Sequence, residues 1–407
     1  MSINLNENLI NMSEGYLFVE IARRVAAHRE KTGAHGAREV ISLGIGDVTI
    51  PLSPTVSRAL AECGEALGTP DGFSRLGGYG DHRGELPLRS AIAERYRAER
   101  GISLCESEIF ITDGAKSTLS RLLDLFGDTE IIVPLPAYPV YADASHILGK
   151  RVHAFSSPSL LLGEALPPPD AELAAKLYKK SAVIFLCSPN NPTGACFTRE
   201  SLDAWVDLAA ATGSIIIFDA AYEAYVTDPD APHSPYESKN ARKCAIEVCS
   251  FSKYAGFTGL RCGWAVIPDE ILDSKLNRAY SRVQSTLTGG ASRLAQVGAL
   301  AALSEVGKKE CQKSIDSYMQ NARELKKFLN ERGVPHVGGK NAPYLWVKCP
   351  SGMSSWQFFD YLLEKCSLVC TPGVGFGGAP SDGFVRFSSF APRESVTEAI
   401  ARLGSVF

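Results

Sequence analysis

The chain has 407 residues, a formal net charge of −3, and 45% hydrophobic against 21% charged residues, the balance of a globular protein. That charge offers no general attraction to nucleic acid or an anionic membrane, and no apolar run approaches the roughly 20 residues that cross a bilayer. The eleven cysteines are scattered, with no Cys-x-x-Cys pair, which predicts buried thiols in a reducing compartment, the cytoplasm, rather than disulfides or a metal site. The polar N-terminus has no cationic stretch ahead of an apolar one and is not expected to be a secretion signal.

Taken in chain order, short apolar runs alternate with helical patterns. Residues 1–50 are expected to form an arm that packs with the C-terminal part. Residues 109–112 read as a strand, followed by Asp113-Gly114-Ala115-Lys116-Ser117 and a helix over 117–126. A strand at 131–133 leads into Pro136-Ala137-Tyr138-Pro139-Val140-Tyr141. Residues 156–170, rich in proline, predict a surface excursion. The apolar run 182–187 runs into Ser188-Pro189-Asn190-Asn191-Pro192-Thr193-Gly194, the run 214–218 into Asp219, and the run 244–249 into a segment containing Lys253 and Arg261; 263–267 is a further strand. Near-continuous apolar strands are buried on both faces, so the pattern predicts an α/β fold with a mostly parallel sheet between helices. From about residue 290 a long helical stretch begins, and beyond 333 strands and helices mix as in a smaller α+β unit. The predicted organisation is an arm at 1–50, a large domain at 51–295 and a small domain at 296–407.

The loops after parallel strands gather at one sheet edge, where α/β proteins bind ligands. Lys253, after a buried strand, can form a Schiff base with an aldehyde cofactor, and Ser250 and Arg261 can hold that cofactor's phosphate. These are the demands of pyridoxal phosphate (PLP). Its ring nitrogen needs a buried carboxylate, which Asp219 offers, although an Asp after an apolar strand also suits a turn or helix cap. Tyr222 and Asn191 can reach the phenolic oxygen. The helix start at Ala115 and Lys116 offers N–H groups to the phosphate. Tyr138 can stack on the ring. Arg386, a charge inside the apolar strand 384–387, suits the α-carboxylate of an amino acid. All of these are expected to follow strands of one sheet.

Together these motifs resemble the fold-type I PLP-dependent aminotransferases, and more narrowly the LL-diaminopimelate aminotransferase family. The resemblance extends to Gly15-Tyr16-Leu17-Phe18, Ile45-Gly46-Asp47, Gly78-Tyr79-Gly80, Asn341-Ala342-Pro343-Tyr344 and Thr371-Pro372-Gly373, and so covers almost the whole chain. It implies a large domain with a seven-stranded sheet, a small domain drawn from both termini, and a homodimer with shared active sites. Lys253 is then the Schiff-base lysine and proton shuttle. Asp219 pairs with the ring nitrogen, and Tyr222 and Asn191 meet the phenolate. Ala115, Lys116, Ser250 and Arg261 hold the phosphate, with Tyr79 arriving from the partner. Arg386, Asn191, Gly46 and Tyr16 bind substrate. The implied reaction is a ping-pong transfer of an α-amino group between an LL-2,6-diaminopimelate-like amino acid and 2-oxoglutarate.

Two positions depart from that family. His82 stands where an acidic residue recognises the substrate's far end, and Gly289 stands where an asparagine does. An enzyme of the same fold that transaminates, eliminates or cyclises another amino acid, arginine- or lysine-like, is the alternative. A PLP-binding regulator is a third reading, although such proteins usually carry a fused basic DNA-binding module.

Overall fold

The computed structural model describes residues 3–10, 12, 17–32, 38–44 and 46–407. The six predicted apolar runs, joined by Val152–Ser156, which the sequence reading did not mark as a strand, pair into a seven-stranded sheet in the order Ile109–Thr112, Gly263–Val266, Ala245–Ser250, Ile215–Asp219, Val183–Cys187, Ile131–Leu135 and Val152–Ser156. Only Gly263–Val266 runs antiparallel to its neighbours. The two-residue period of a strand divides its side chains between two apolar clusters. Ile184, Leu186, Ile216, Phe218 and Cys249 enter one; Val183, Phe185, Ile215, Ile217 and Val248 enter the other. Helices cover both faces. Pro54–Leu67, Leu86–Arg100, Arg199–Thr212 and Arg293–Ala302 pack into the first cluster, and Ala115–Leu122, Val140–Ile147 and Lys275–Leu287 into the second. This is the expected α/β architecture. Parallel strands need crossovers, so their carboxyl ends and the loops after them collect along one edge.

A second sheet of four antiparallel strands has the order His336–Gly338, Tyr344–Lys348, Phe384–Ser388 and Thr371–Pro372. The N-terminal strand Ile41–Ser42 pairs in parallel with Leu368–Val369, and Leu17, Ile21, Ile41 and Leu43 share an apolar cluster with Trp346, Phe359 and Leu403.

Three local features differ from the sequence reading. The long helical stretch after residue 290 is two helices, Arg293–Ala302 and Glu305–Glu331, separated where the Ser304 side chain accepts from the Gly307 N–H. The exchange from one core to the other falls inside the second helix: Ile315, Tyr318 and Met319 pack with the large sheet, Ala322, Leu325 and Leu329 with the small one. The sequence reading set its boundary at 295–296. The stretch 156–170 is not merely a surface loop. It holds the helix Pro158–Leu162 and the strand Ala165–Leu166, which pairs with Cys196–Phe197, and Leu160 and Leu166 are buried.

Candidate active site

Lys253 lies in the four-residue helix Phe251–Tyr254, which starts directly after the central strand Ala245–Ser250. Its amine donates to the Gly46 carbonyl and faces a cavity of about 510 Å³. Burial, only partly offset by the Asp47 carboxylate and reinforced by the positive charges of Arg386 and Arg261, brings the ammonium down to about 8. The next strand, Ile215–Asp219, ends on Asp219 in the same cavity. Asp219 Oδ2 accepts from the Tyr141 hydroxyl at 2.6 Å and Oδ1 from the Ala221 N–H at 3.1 Å. Burial pushes its pKa upward, and those two hydrogen bonds work against the rise.

The helix Ala115–Leu122 opens on the same edge. Gly114 precedes it at φ +109, a backbone few side chains adopt, and a Cβ there would stand 2.5 Å from Arg261 Nη2. Arg261 donates through Nη1 to Ser252 Oγ at 3.1 Å and to the Thr258 carbonyl at 3.2 Å. Ser250 Oγ caps the lysine's helix by accepting from the Ser252 N–H at 3.0 Å. Helix N–H groups, two serines and an arginine thus converge on one wall.

Arg386 comes from the other sheet, not from the large one as expected, and the core between the two sheets buries it almost completely at 1% exposure. Nη1 donates to Asn191 Oδ1 at 2.6 Å, and Nη2 to the Gly44 carbonyl at 2.6 Å and Thr371 Oγ1 at 3.3 Å. The guanidinium lies 4.3 Å from the Tyr344 ring centre and 5.1 Å from that of Phe376. Nε is buried without a partner, and among the described residues no carboxylate meets this cation. A buried cation so placed is completed by an anionic ligand.

The cavity therefore brings together Gly46, Ala115, Lys116, Tyr138, Asn191, Asp219, Tyr222, Ser250, Lys253, Arg261 and Arg386. Tyr79, His82 and Gly289 do not line it. Tyr79 is fully exposed; His82 Nε2 sits 2.7 Å from Ser281 Oγ; Gly289 has open space where a side chain would project. Tyr16 lies outside the described residues. Sequence reasoning missed Ser252, Thr258 and Tyr344 as cavity residues, and Tyr141 as the partner of Asp219. Ser252 and Thr258 stand inside the segment that drew attention to Lys253, so proximity was the available signal for them; Tyr141 and Tyr344 carried no such signal. Among the described residues no group of three or more His, Cys, Asp or Glu could hold a metal.

The residues fit PLP. Asp219, buried without a basic partner among the described residues, suits a protonated ring nitrogen. The Gly114–Arg261 contact leaves the helix start bare for a phosphate, and the unpartnered Arg386 Nε suits a carboxylate. Fold and site together define a PLP-dependent enzyme acting on amino acids. A family model, aminotransferase class I and II, matches residues 38–403, and the chain belongs to that family of PLP-dependent aminotransferases. It is similar over 100% of its length, and 99% of the other chain, to L,L-diaminopimelate aminotransferase from Chlamydomonas reinhardtii, at 40% identity and a TM-score of 0.90. It also resembles substrate-bound BacF from Bacillus subtilis at 27% identity, covering 100% of this chain and 98% of that one, with a TM-score of 0.85. A Pyrococcus protein, A1, matches at 26% identity over 99% and 98% of the two chains, with a TM-score of 0.85.

Proposed function

We propose that this aminotransferase moves the α-amino group of an LL-2,6-diaminopimelate-like amino acid to and from 2-oxoglutarate, by a ping-pong route with Lys253 as the proton shuttle. The observation that carries the reading is Arg386, buried in the wall of the cavity that Lys253 also lines, with no carboxylate of its own among the described residues. Both substrates of such a reaction bring an α-carboxylate, and a ping-pong enzyme must hold each in turn at one place. Arg386 and Asn191 are assigned to that carboxylate, with Gly46 beside them. The Asn191 carbonyl oxygen accepts from Arg386, which leaves its Nδ2 to donate to the cofactor's ring oxygen along with the Tyr222 hydroxyl. Asp219, oriented by Tyr141, keeps the ring nitrogen protonated. Ala115, Lys116, Ser250, Ser252 and Arg261 are assigned to the phosphate, and Tyr138 to the ring face. When bound, PLP supplies an electron sink for the pair left on the substrate's α-carbon when its proton leaves. Lys253 takes that proton: an amine brought down to about 8 is partly neutral at physiological pH.

The homodimer is part of the proposal. Tyr79, His82 and the turn at Gly289–Gly290 lie close together on the surface, the Gly290 backbone against the His82 carbonyl, where they can complete a partner's site. Eleven free cysteines, ten of them buried, support a reducing compartment, and the cytoplasm is the one assigned.

His82 and Gly289 favour a second reading of the substrate. A base and a bare glycine offer nothing to a far-end ammonium, and losing polar contacts of this kind lowers discrimination by orders of magnitude. The donor is then another amino acid, arginine- or lysine-like, on the same machinery. A panel of amino donors with 2-oxoglutarate decides between the two. Glutamate formed from LL-diaminopimelate, and more of it in a His82→Glu/Gly289→Asn protein, supports the first reading. Turnover of a different donor with none of diaminopimelate supports the second.

A further inference from the structure

The turn that carries Asp219 and Tyr222 into the cavity continues as the single helical turn Glu223–Tyr225. Glu223 is 4% exposed and does not line the cavity; it points behind it. There Oε1 meets Arg95 Nη2 at 2.8 Å and Oε2 meets Arg100, both in the C-terminal half of the helix Leu86–Arg100. The side chains of Arg95 and Arg100 are 7% and 5% exposed, so this is a buried carboxylate held by two buried guanidiniums. Its charge is fixed: the two arginines outweigh burial and hold Glu223 below the ordinary carboxylate range. The same group reaches the other half of the site. Arg95 lies 5.0 Å from the ring centre of Tyr254, the residue after Lys253. Tyr225, two residues after Glu223, donates its hydroxyl to the Lys253 carbonyl at 2.9 Å.

We propose that Glu223, gripped by Arg95 and Arg100, is a positioning device that fixes Tyr222 and Lys253 relative to each other from behind the cavity, acting through Tyr225 and Tyr254. The reasoning is geometric. Asp219 ends one strand and Lys253 follows the end of its neighbour, and past the backbone bonds from the Ala220 N–H to the Val248 carbonyl and from the Phe251 N–H to the Cys262 carbonyl the sheet no longer holds these segments. Residues 221–225 and 252–254 therefore need another tie. Glu223 is the only charged side chain beyond Asp219 in the first segment, and both of its anchors belong to a helix that does not touch the cavity. A purely apolar contact would bury these segments without fixing their register. A carboxylate forked between two guanidiniums has directional demands on both oxygens.

The test uses the holoenzyme and apoenzyme of Glu223→Gln and Tyr225→Phe. The second variant keeps both ion pairs and removes only the hydrogen bond to the Lys253 carbonyl, so it remains informative if Glu223→Gln fails to fold. Three quantities are read: kcat against KM for the amino donor, PLP affinity by titration of apoenzyme, and the pH midpoint of the bound cofactor's visible absorbance, which senses the setting of Lys253. Displacing a reacting group by an ångström costs up to about a hundredfold in rate. Each folded variant is expected to lose about tenfold or more in kcat with KM little changed, and to move the absorbance midpoint by about half a unit or more. PLP affinity is expected to fall less than kcat. If stability drops while kcat and the midpoint stay at their wild-type values in every variant that folds, the ion pairs are structural only and the proposal is overturned.

Discussion

Gly114 sits where cofactor grip and backbone geometry meet. Its φ of +109 strains any side chain, and a Cβ would press on the end of Arg261. The arginine can swing away, but that removes it from the wall assigned to the phosphate. Gly114→Ala is therefore expected to fold and to bind PLP about tenfold or more weakly, as read by titrating the apoenzyme. At this scale the sequence was most legible where chemistry follows directly from residue type and place. Lys253, Asp219, Asn191 and Arg386, picked out by a charge or an amide following or within an apolar run, line one cavity. Tyr141 was not picked out, because nothing in a tyrosine three residues past another reveals a hydrogen bond to a carboxylate 78 positions away. Tyr344 was equally hidden. It belongs to an apolar strand of the second sheet, and its hydroxyl, 2.5 Å from that of Tyr222, enters the cavity only once the two sheets meet.

The strand Ala245–Ser250 carries a second buried group on its far side. Glu247 is fully buried, accepts from Tyr96 at 2.8 Å and Ser234 at 3.0 Å through Oε2, and leaves Oε1 without a partner among the described residues. Burial raises it to about 7, against the pull of Arg100 and its two hydrogen bonds. A carboxyl that binds its proton more tightly folded than unfolded stabilises the fold below the unfolded value and loses that contribution as pH climbs through the folded one. The stability of the protein is thus expected to decline between pH 5 and 8 relative to Glu247→Gln, by on the order of 2–3 kcal/mol at the upper end. Denaturant melts of both proteins across that range measure it. Six of the seven strands of the large sheet and their order were read from the sequence because strand and helix periods are local; Val152–Ser156, which is not fully buried, was not. The ends and breaks of elements were not legible either. The interruption at Ser304 depends on one side chain capping the next helix, and the exchange of cores between Met319 and Ala322 depends on which sheet each helical turn faces.

For the molecule as a whole, the positions proposed to meet the substrate's far end stand apart from the cavity of the chain that carries them. Tyr79, His82 and Gly289 were legible as motifs, yet they lie outside the cavity of the same chain; under the proposed homodimer they would complete the partner's site. If sites are shared, Tyr79→Ala and Lys253→Ala proteins, each impaired alone, regain activity when their subunits are mixed. Statistical reassembly yields one intact site in about a quarter of the total. Mixtures no more active than the sum of the two variants would count against sharing. The antiparallel strand has its own consequence at this scale. Ser250 pairs with Gly263, so Lys253 and Arg261 lie within one short closed loop, whereas Arg386 joins from far along the chain. Closing a loop of about a dozen residues costs far less chain entropy than gathering so distant a partner. Lys253 and the Ser250–Arg261 side of the wall are therefore the part of the site with low contact order, and they can organise during folding before Arg386 and the helix at Ala115 join them.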